Sequence, residues 1–179
     1  MTTGPTLITD RLLLRPPIEG DLDAWAAFMN DPEAARFLGG AQPRAVAWRT
    51  LAAVAGSWAL HGFGMFSVIE RSSGRWIGRL GPWCPAEWPG TEVGWGLARD
   101  AWGRGYAEEG AIAAIDWAFD VLHWTQIIHC IDPANTPSVN LAKRLGSAKI
   151  GQAPLPAPIS VVVDVWGQSQ EQWRAHRLR

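Results

Sequence analysis

The run Glu92-Val93-Gly94-Trp95-Gly96-Leu97-Ala98-Arg99-Asp100-Ala101-Trp102-Gly103-Arg104-Gly105-Tyr106-Ala107-Glu108 constrains this chain more than any other segment. Thr91 to Leu97 has the composition of a strand. After the glycines at 103 and 105 comes the clearest helix in the sequence. Ala107, Ala111, Ala114, Ala118 and Val121 recur at spacings of four and three, while Glu109, Asp116 and Asp120 point elsewhere. At the start of such a helix several backbone N–H groups lack an intrahelical acceptor, and the macrodipole puts partial positive charge there. Gly103 and Gly105 let that backbone approach a bulky anion, of which a pyrophosphate is the natural occupant. Arg104, inside the turn, adds a full positive charge. A glycine-rich helix entry that binds nothing carries the same local signature. Two familiar nucleotide loops fit poorly. The dinucleotide fingerprint needs a third glycine where Glu108 stands, and the phosphate loop of nucleotide hydrolases needs a Gly-Lys-Ser/Thr that is absent.

Around this run the chain alternates between the two periods. Leu7 to Arg15 reads as a first strand. Asp21 is placed to cap a helix carrying Leu22, Trp25, Phe28 and Met29, and Asp31-Pro32 starts a short helix that Gly39-Gly40 ends. A further helix after Pro43 turns Trp48, Leu51, Val54, Ala55 and Trp58 to one side. Met65 to Glu70 and Arg75 to Leu80 are strands joined at Ser72-Ser73-Gly74, and Trp83 to Gly90 is a loop. Gln126 to Ile131 is a short buried strand. A helix from about Pro137 to Leu145 has Thr136 as its cap and Gly146 as its stop. Strands near Ala148 to Gln152 and Ser160 to Trp166 flank a Pro-rich loop at 154–158. This order predicts one mixed α/β (α+β) domain over residues 1–179, with a central, mostly antiparallel sheet.

Composition narrows the partners. Hydrophobic residues at 47% and charged ones at 18% are those of a globular chain, and a net charge of −1 exerts no long-range pull on nucleic acid or an anionic membrane. No stretch approaches the ~20 apolar residues of a membrane span. The charges from Asp10 to Arg15 arrive too early for a signal peptide. Cys84 and Cys130 form no disulfide framework, so a cytoplasmic setting is expected, with neither nucleic acid nor membrane as partner. His61, His123, His129 and His176 fall at no metal-ligand spacing, and no metal is expected. Monomer and homodimer stay equally open.

Trp102-Gly103-Arg104-Gly105-Tyr106-Ala107 resembles the pyrophosphate loop of the GNAT acetyltransferases, in the branch of the ribosomal-protein-alanine N-acetyltransferases. The resemblance runs along nearly the whole chain. It includes Thr9-Asp10-Arg11-Leu12-Leu13-Leu14-Arg15-Pro16, Asn30-Asp31-Pro32, Trp76-Ile77-Gly78-Arg79-Leu80-Gly81, Glu92-Val93-Gly94-Trp95, Asn135-Thr136-Pro137-Ser138 and Lys143-Arg144-Leu145-Gly146. It implies a GNAT-like fold with helices on both faces of the sheet. The fold's fourth strand, here ending at Leu97, would bulge and splay from its fifth, here Gln126 to Ile131, in a V that takes the pantetheine arm of acetyl-CoA. Backbone N–H groups near Gly96 and Leu97 would then form an oxyanion hole. Trp102, Gly103, Arg104, Gly105, Tyr106 and Ala107 would bind the pyrophosphate, and Asn135 and Ser138 would contact the pantetheine or the chain around it. Ala142 stands where many members of the superfamily place a Tyr acid, so that acid is missing.

The implied chemistry is direct attack of a neutral amine on the thioester through a tetrahedral intermediate. A lysine-like amine near pKa 10.4 is neutral in only about one molecule in 2,500 at pH 7, a cost of roughly 4.6 kcal/mol, against roughly 1.4 for an α-amine near 8. A base matters most for the first kind. Glu92, on the strand lining the slot, is the candidate base through a water, and Ser138 the candidate acid for the leaving thiolate. Glu92 as an ion-paired strand carboxylate and Ser138 as a helix-start hydroxyl are the plainer alternatives. At the level of the whole protein, a catalytically silent CoA-binding module acting as a sensor or interaction domain is the alternative. The acceptor is not legible beyond Trp48, Trp83 and Trp88 as an aromatic lining.

Overall fold

The computed structural model describes residues 4–157 and 159–178. Residue 158, in the Pro-rich loop expected at 154–158, lies outside them. Among the described residues the order is β1 (Leu7–Ile8), β2 (Leu12–Arg15), α1 (Leu22–Asn30), α2 (Arg44–His61), β3 (Phe66–Glu70), β4 (Arg75–Trp83), β5 (Glu92–Leu97), α3 (Tyr106–Asp120), β6 (Gln126–Ile131), α4 (Thr136–Arg144), β7 (Ala148–Pro154), β8 (Val162–Ser169) and α5 (Gln170–Arg177). The strands form one sheet, ordered β1-β2-β3-β4-β5-β6-β8-β7, antiparallel throughout except between β5 and β6. No described helix is long and apolar enough to cross a membrane.

Alternation along the strands divides the core. Leu80, Val93 and Leu97 face α3, where Ala111, Ala114, Ile115 and Ala118 are fully buried. Gly110 permits the close approach, since a Cβ there would stand 2.5 Å from Leu80. On the opposite face Trp25, Phe28, Ala47, Leu51 and Val54 of α1 and α2 form a second cluster with Met65. Between Val68 and Ile69 the β3–β4 register slips, because β4 carries Ile77 as an extra residue.

The structure corrects several local expectations. Residues 32–39 are consecutive turns rather than a short helix, since Leu38 N–H bonds Ala35 while Ala35 N–H bonds Asp31, mixing two helical pitches before Gly39 and Gly40 turn left-handed. Asp21 precedes α1 without capping it by its side chain. Its carboxylate instead takes Arg15 at 2.6 and 2.8 Å, Ile18 N–H at 3.0 Å and Ser67 Oγ at 2.7 Å, which together lower its pKa. Asn135, not Thr136, caps α4, through Oδ1 and Ser138 N–H. The C-terminal α5 was not anticipated, although Ser169 and Gln172 form a full capping box and Trp173 buries completely against α3.

Candidate active site

β5 and β6 run parallel but share a single residue pair, Glu92↔Ile128. Ile128 N–H reaches Thr91 carbonyl in the ordinary way. One step further the ladder is intercepted by side chains. Cys130 N–H donates to Glu92 Oε1 at 3.1 Å, and the Val93 carbonyl accepts from His129 Nδ1 at 2.6 Å. These two side chains stand where backbone bonds would have continued, and they hold the V open. The expected bulge in the outgoing strand is absent: β5 pairs β4 without interruption from Gly78↔Leu97 to Trp83↔Glu92. The splay comes from the β6 side.

His129 is 1% exposed and locked. With the ring neutral and its proton on Nδ1, Nε2 accepts from Ser147 Oγ at 3.1 Å, which Gln168 holds in turn at 3.0 Å. Burial pushes its pKa down to about 4, so it stays neutral. The Cys130 thiol is driven the other way by burial and remains protonated, which suits packing rather than nucleophilic work.

Past the single pair, the β6-facing edge of β5 is unpaired. Ala98 N–H bonds Ile77 carbonyl, and alternation from there turns the backbone groups of Gly96 toward β4 and those of Trp95 and Leu97 toward the gap. The N–H facing the slot is therefore Leu97's; Gly96 contributes a bare strand face. The Leu97 carbonyl is tied off by Trp102 Nε1 at 2.8 Å.

At the mouth of the V the chain makes a left-handed turn at Gly103 (φ +70°) and again at Gly105 (φ +77°), from which α3 departs. The first helical bond runs from Glu109 N–H to Gly105 carbonyl, leaving the N–H groups of Tyr106, Ala107 and Glu108 free of intrahelical acceptors. Arg11 braces the turn, bonding Arg104 carbonyl at 2.8 Å and Glu109 at 2.6 Å. Tyr106 is anchored through its hydroxyl to Glu70 at 2.5 Å.

A cavity of about 670 Å³ joins these parts. Trp95, Gly96, Leu97, Trp102, Gly103, Gly105, Tyr106, Ala107, Asn135 and Ser138 all line it. Two residues expected there do not. The Arg104 side chain turns away to Glu70 at 3.3 Å and lies over the Tyr106 ring. Glu92 stands behind Gly94 on the face carrying α1 and α2, its Oε1 3.2 Å from where a Gly94 Cβ would be. The wall also includes residues not anticipated from sequence: Arg36, Phe37 and Leu38 of the turns after α1, and Arg144 of α4, which pairs with Glu108 at 2.7 Å. Of these, only Arg144 falls in a motif that carries the resemblance, Lys143-Arg144-Leu145-Gly146.

Glu92 is 6% exposed and accepts from Trp88 Nε1 at 2.6 Å as well as from Cys130 N–H. Desolvation by burial dominates and raises its pKa to about 7, against the pull of those donors and of Arg79. Trp88 thus holds the carboxylate, whereas Trp48 is 55% exposed and lies off the cavity. Ser138 spends its backbone N–H on Asn135 and its Oγ accepts from Trp95 Nε1 at 3.2 Å, which leaves the hydroxyl proton free to donate. Trp95 is itself packed on the His129 ring, 4.7 Å between centres.

The fold, a sheet splayed at one parallel pair with a glycine turn and helix start at its open end, is that of the acetyltransferases. The acetyltransferase (GNAT) domain family matches residues 11–148, and the chain belongs to that family. It is 31% identical over 149 residues to the N-acetyltransferase p20 of Bacillus licheniformis, covering 82% of this chain and 84% of that one. The crystal structure of an acetyltransferase from Agrobacterium tumefaciens superimposes with a TM-score of 0.83 at 32% identity, covering 93% of this chain and 95% of that one. The ribosomal-protein-S5-alanine acetyltransferase from Vibrio fischeri shares the fold at a TM-score of 0.75 and 18% identity, covering 94% and 98%.

Proposed function

We propose that this protein is an N-acetyltransferase that moves the acetyl group of acetyl-CoA to a primary amine by direct attack. The observation that carries the reading is the single cavity lined jointly by the free edge of β5, the start of α3 and the start of α4. The donor set fits the coenzyme. Unpaired N–H groups at 106–108, beside glycines with no side chain to block approach, suit a diphosphate, and a gap between parallel strands suits an extended amide-bearing arm. Arg144 stands at the same mouth, paired there with Glu108. Acetyl-CoA, when bound by these residues, would supply the thioester.

The chain's own residues would do the rest. Leu97 N–H is the donor aimed at developing negative charge on the carbonyl oxygen. Ser138, its hydroxyl oriented by Trp95, donates to the departing sulfur. Glu92 takes the amine's proton. Its carboxyl leans over Gly94, and two residues of strand, about 7 Å, separate Gly94 from Gly96, a span for one or two waters. A base with a pKa near 7 is matched to neutral pH, being both substantially ionised and able to hold a proton.

The test is thiol release from acetyl-CoA by the purified protein with a panel of small amines and N-terminal peptides. Release that depends on the amine supports the reading. Coenzyme binding with no release across the panel would instead mark a silent CoA-binding module.

A further inference from the structure

Arg79 is a half-buried cation that forms no ion pair among the described residues. The extra residue Ile77 brings Trp76 and Arg79 together on the face carrying α1, and the ladder sets Arg79 opposite Gly96, about 5.5 Å between Cα atoms for a hydrogen-bonded pair. Its guanidinium lies 5.6 Å from the Trp25 ring centre, and its one hydrogen bond runs from Nη1 to Met65 Sδ at 3.0 Å, a weak acceptor. Nε is fully enclosed with no acceptor, and among the described residues no carboxylate pairs with the group. The neighbouring Trp25 indole N–H is enclosed and without an acceptor too. Arg15, the other guanidinium turned inward on this side, has Asp21 on both nitrogens. Desolvation holds the Arg79 pKa down to about 10, and Glu92, beyond ion-pair distance, offsets this only in part.

The position explains what the missing partner is. Arg79 and the free edge at Leu97 lie on either side of Gly96, and Gly94 and Gly96 leave the strand face between Arg79 and Glu92 without side chains. A Cβ on Gly96 would stand 3.1 Å from Phe28 and 3.5 Å from Leu38, so the glycine lets these two side chains pack close against the strand and border the corner beside Arg79. An amine attacking beside Leu97 therefore carries its nearest substituents toward the guanidinium.

Resting on the acetyl-transfer reading above, we propose that Arg79 anchors a carboxylate on the acceptor, and that the acceptor is a small amine with that carboxylate a few bonds from its nitrogen, an amino acid rather than a protein N-terminus. A planar guanidinium fork is suited to a carboxylate's two oxygens, and a peptide N-terminus offers none at that distance.

The experiment compares initial rates of thiol release for free amino acids and for their amides. The amide's amine is the less basic and more often neutral, so chemistry without an anchor favours the amide. At least one amino acid is expected to exceed its amide about 30-fold in kcat/KM, the low end for cutting a desolvated charge pair. Arg79→Gln should bring that ratio to 1 or below by raising KM for the acid, with Arg79→Lys in between and coenzyme affinity by calorimetry as the check that the variants fold. Amides or N-terminal peptides used as well as the acids, or a ratio that survives Arg79→Gln, overturns the anchor and leaves acetyl transfer standing. Coenzyme bound with no release from any amine overturns both.

Discussion

Replacing Glu92 by Gln should make the protein relatively more stable as pH rises, while making it a worse catalyst. The folded state holds this carboxyl at a pKa of about 7, above the ordinary value of 4.5 that it regains on unfolding. The unfolded chain therefore releases the proton first. Stability is complete below about pH 4.5 and drains away as pH climbs toward 7, the reverse of a salt-bridged carboxylate. With those two values the wild type loses roughly 2–3 kcal/mol between pH 5 and pH 8 through this group alone. Gln has no proton to lose, and its oxygen can keep the bond from Cys130 N–H that helps hold the V. Its amide, however, meets the Trp88 donor, a mismatch of about 1–3 kcal/mol that is the same at every pH. The quantity to measure is consequently the change of the variant-minus-wild-type difference with pH, from urea unfolding at pH 5, 6, 7 and 8. It should rise by roughly 2–3 kcal/mol across that range. Parallel stability curves would refute the argument, since they would mean that Glu92 titrates normally and is not desolvated. The same substitution should erase an acidic limb near pH 7 in the rate profile, with the largest loss for high-pKa amines.

Other outcomes test the remaining parts. Gly105→Val forces a β-branched residue into φ +77° with its Cβ 3.3 Å from Arg11 Nη2, so coenzyme affinity by calorimetry should fall at least tenfold while the melting transition stays cooperative; unchanged affinity would place the diphosphate elsewhere. Ser138→Ala removes a donor worth about 1.5–3 kcal/mol to a charged sulfur, so kcat should drop roughly ten- to a hundredfold with little change in coenzyme affinity, and an undiminished kcat would discard the thiolate role. Trp173→Ala empties a fully buried site and breaks the 2.7 Å bond to Asp116, with an expected loss of about 3–5 kcal/mol in chemical denaturation; a loss under 1 would make α5 an accessory.

How much of this was legible depended on whether the signal was local. The helix Tyr106–Asp120 and the strand Gln126–Ile131 follow from an alanine period and a short apolar run, and both stand where expected. So does the cavity wall from Trp102 to Ala107, apart from Arg104, because left-handed glycines and a helix start are properties of consecutive residues. Arg104 escaped because its partner Glu70 closes a strand 34 positions earlier, and no spacing rule links a turn to a strand end that far away. Helix α5 escaped differently. Its capping box was written in Ser169 and Gln172, but six polar residues surround Trp173, so burial rests on one side chain and leaves no period to read.

The V itself is the least legible feature and the most consequential. Nothing in Glu92 or His129 taken singly distinguishes a wedge from an ordinary strand residue. The wedge exists because β6 arrives beside β5 one register step before a side-chain acceptor, Glu92, and a side-chain donor, His129, replace the backbone ones. This ties catalysis to architecture. A carboxylate solvated enough to have a normal pKa would be a weaker base at neutral pH and would also leave Cys130 N–H without its buried acceptor, letting the strands zip further and narrowing the slot. The burial that unsettles Glu92 as an anion is the same burial that keeps the strands apart, so a selection for higher stability at this position would be expected to close the site.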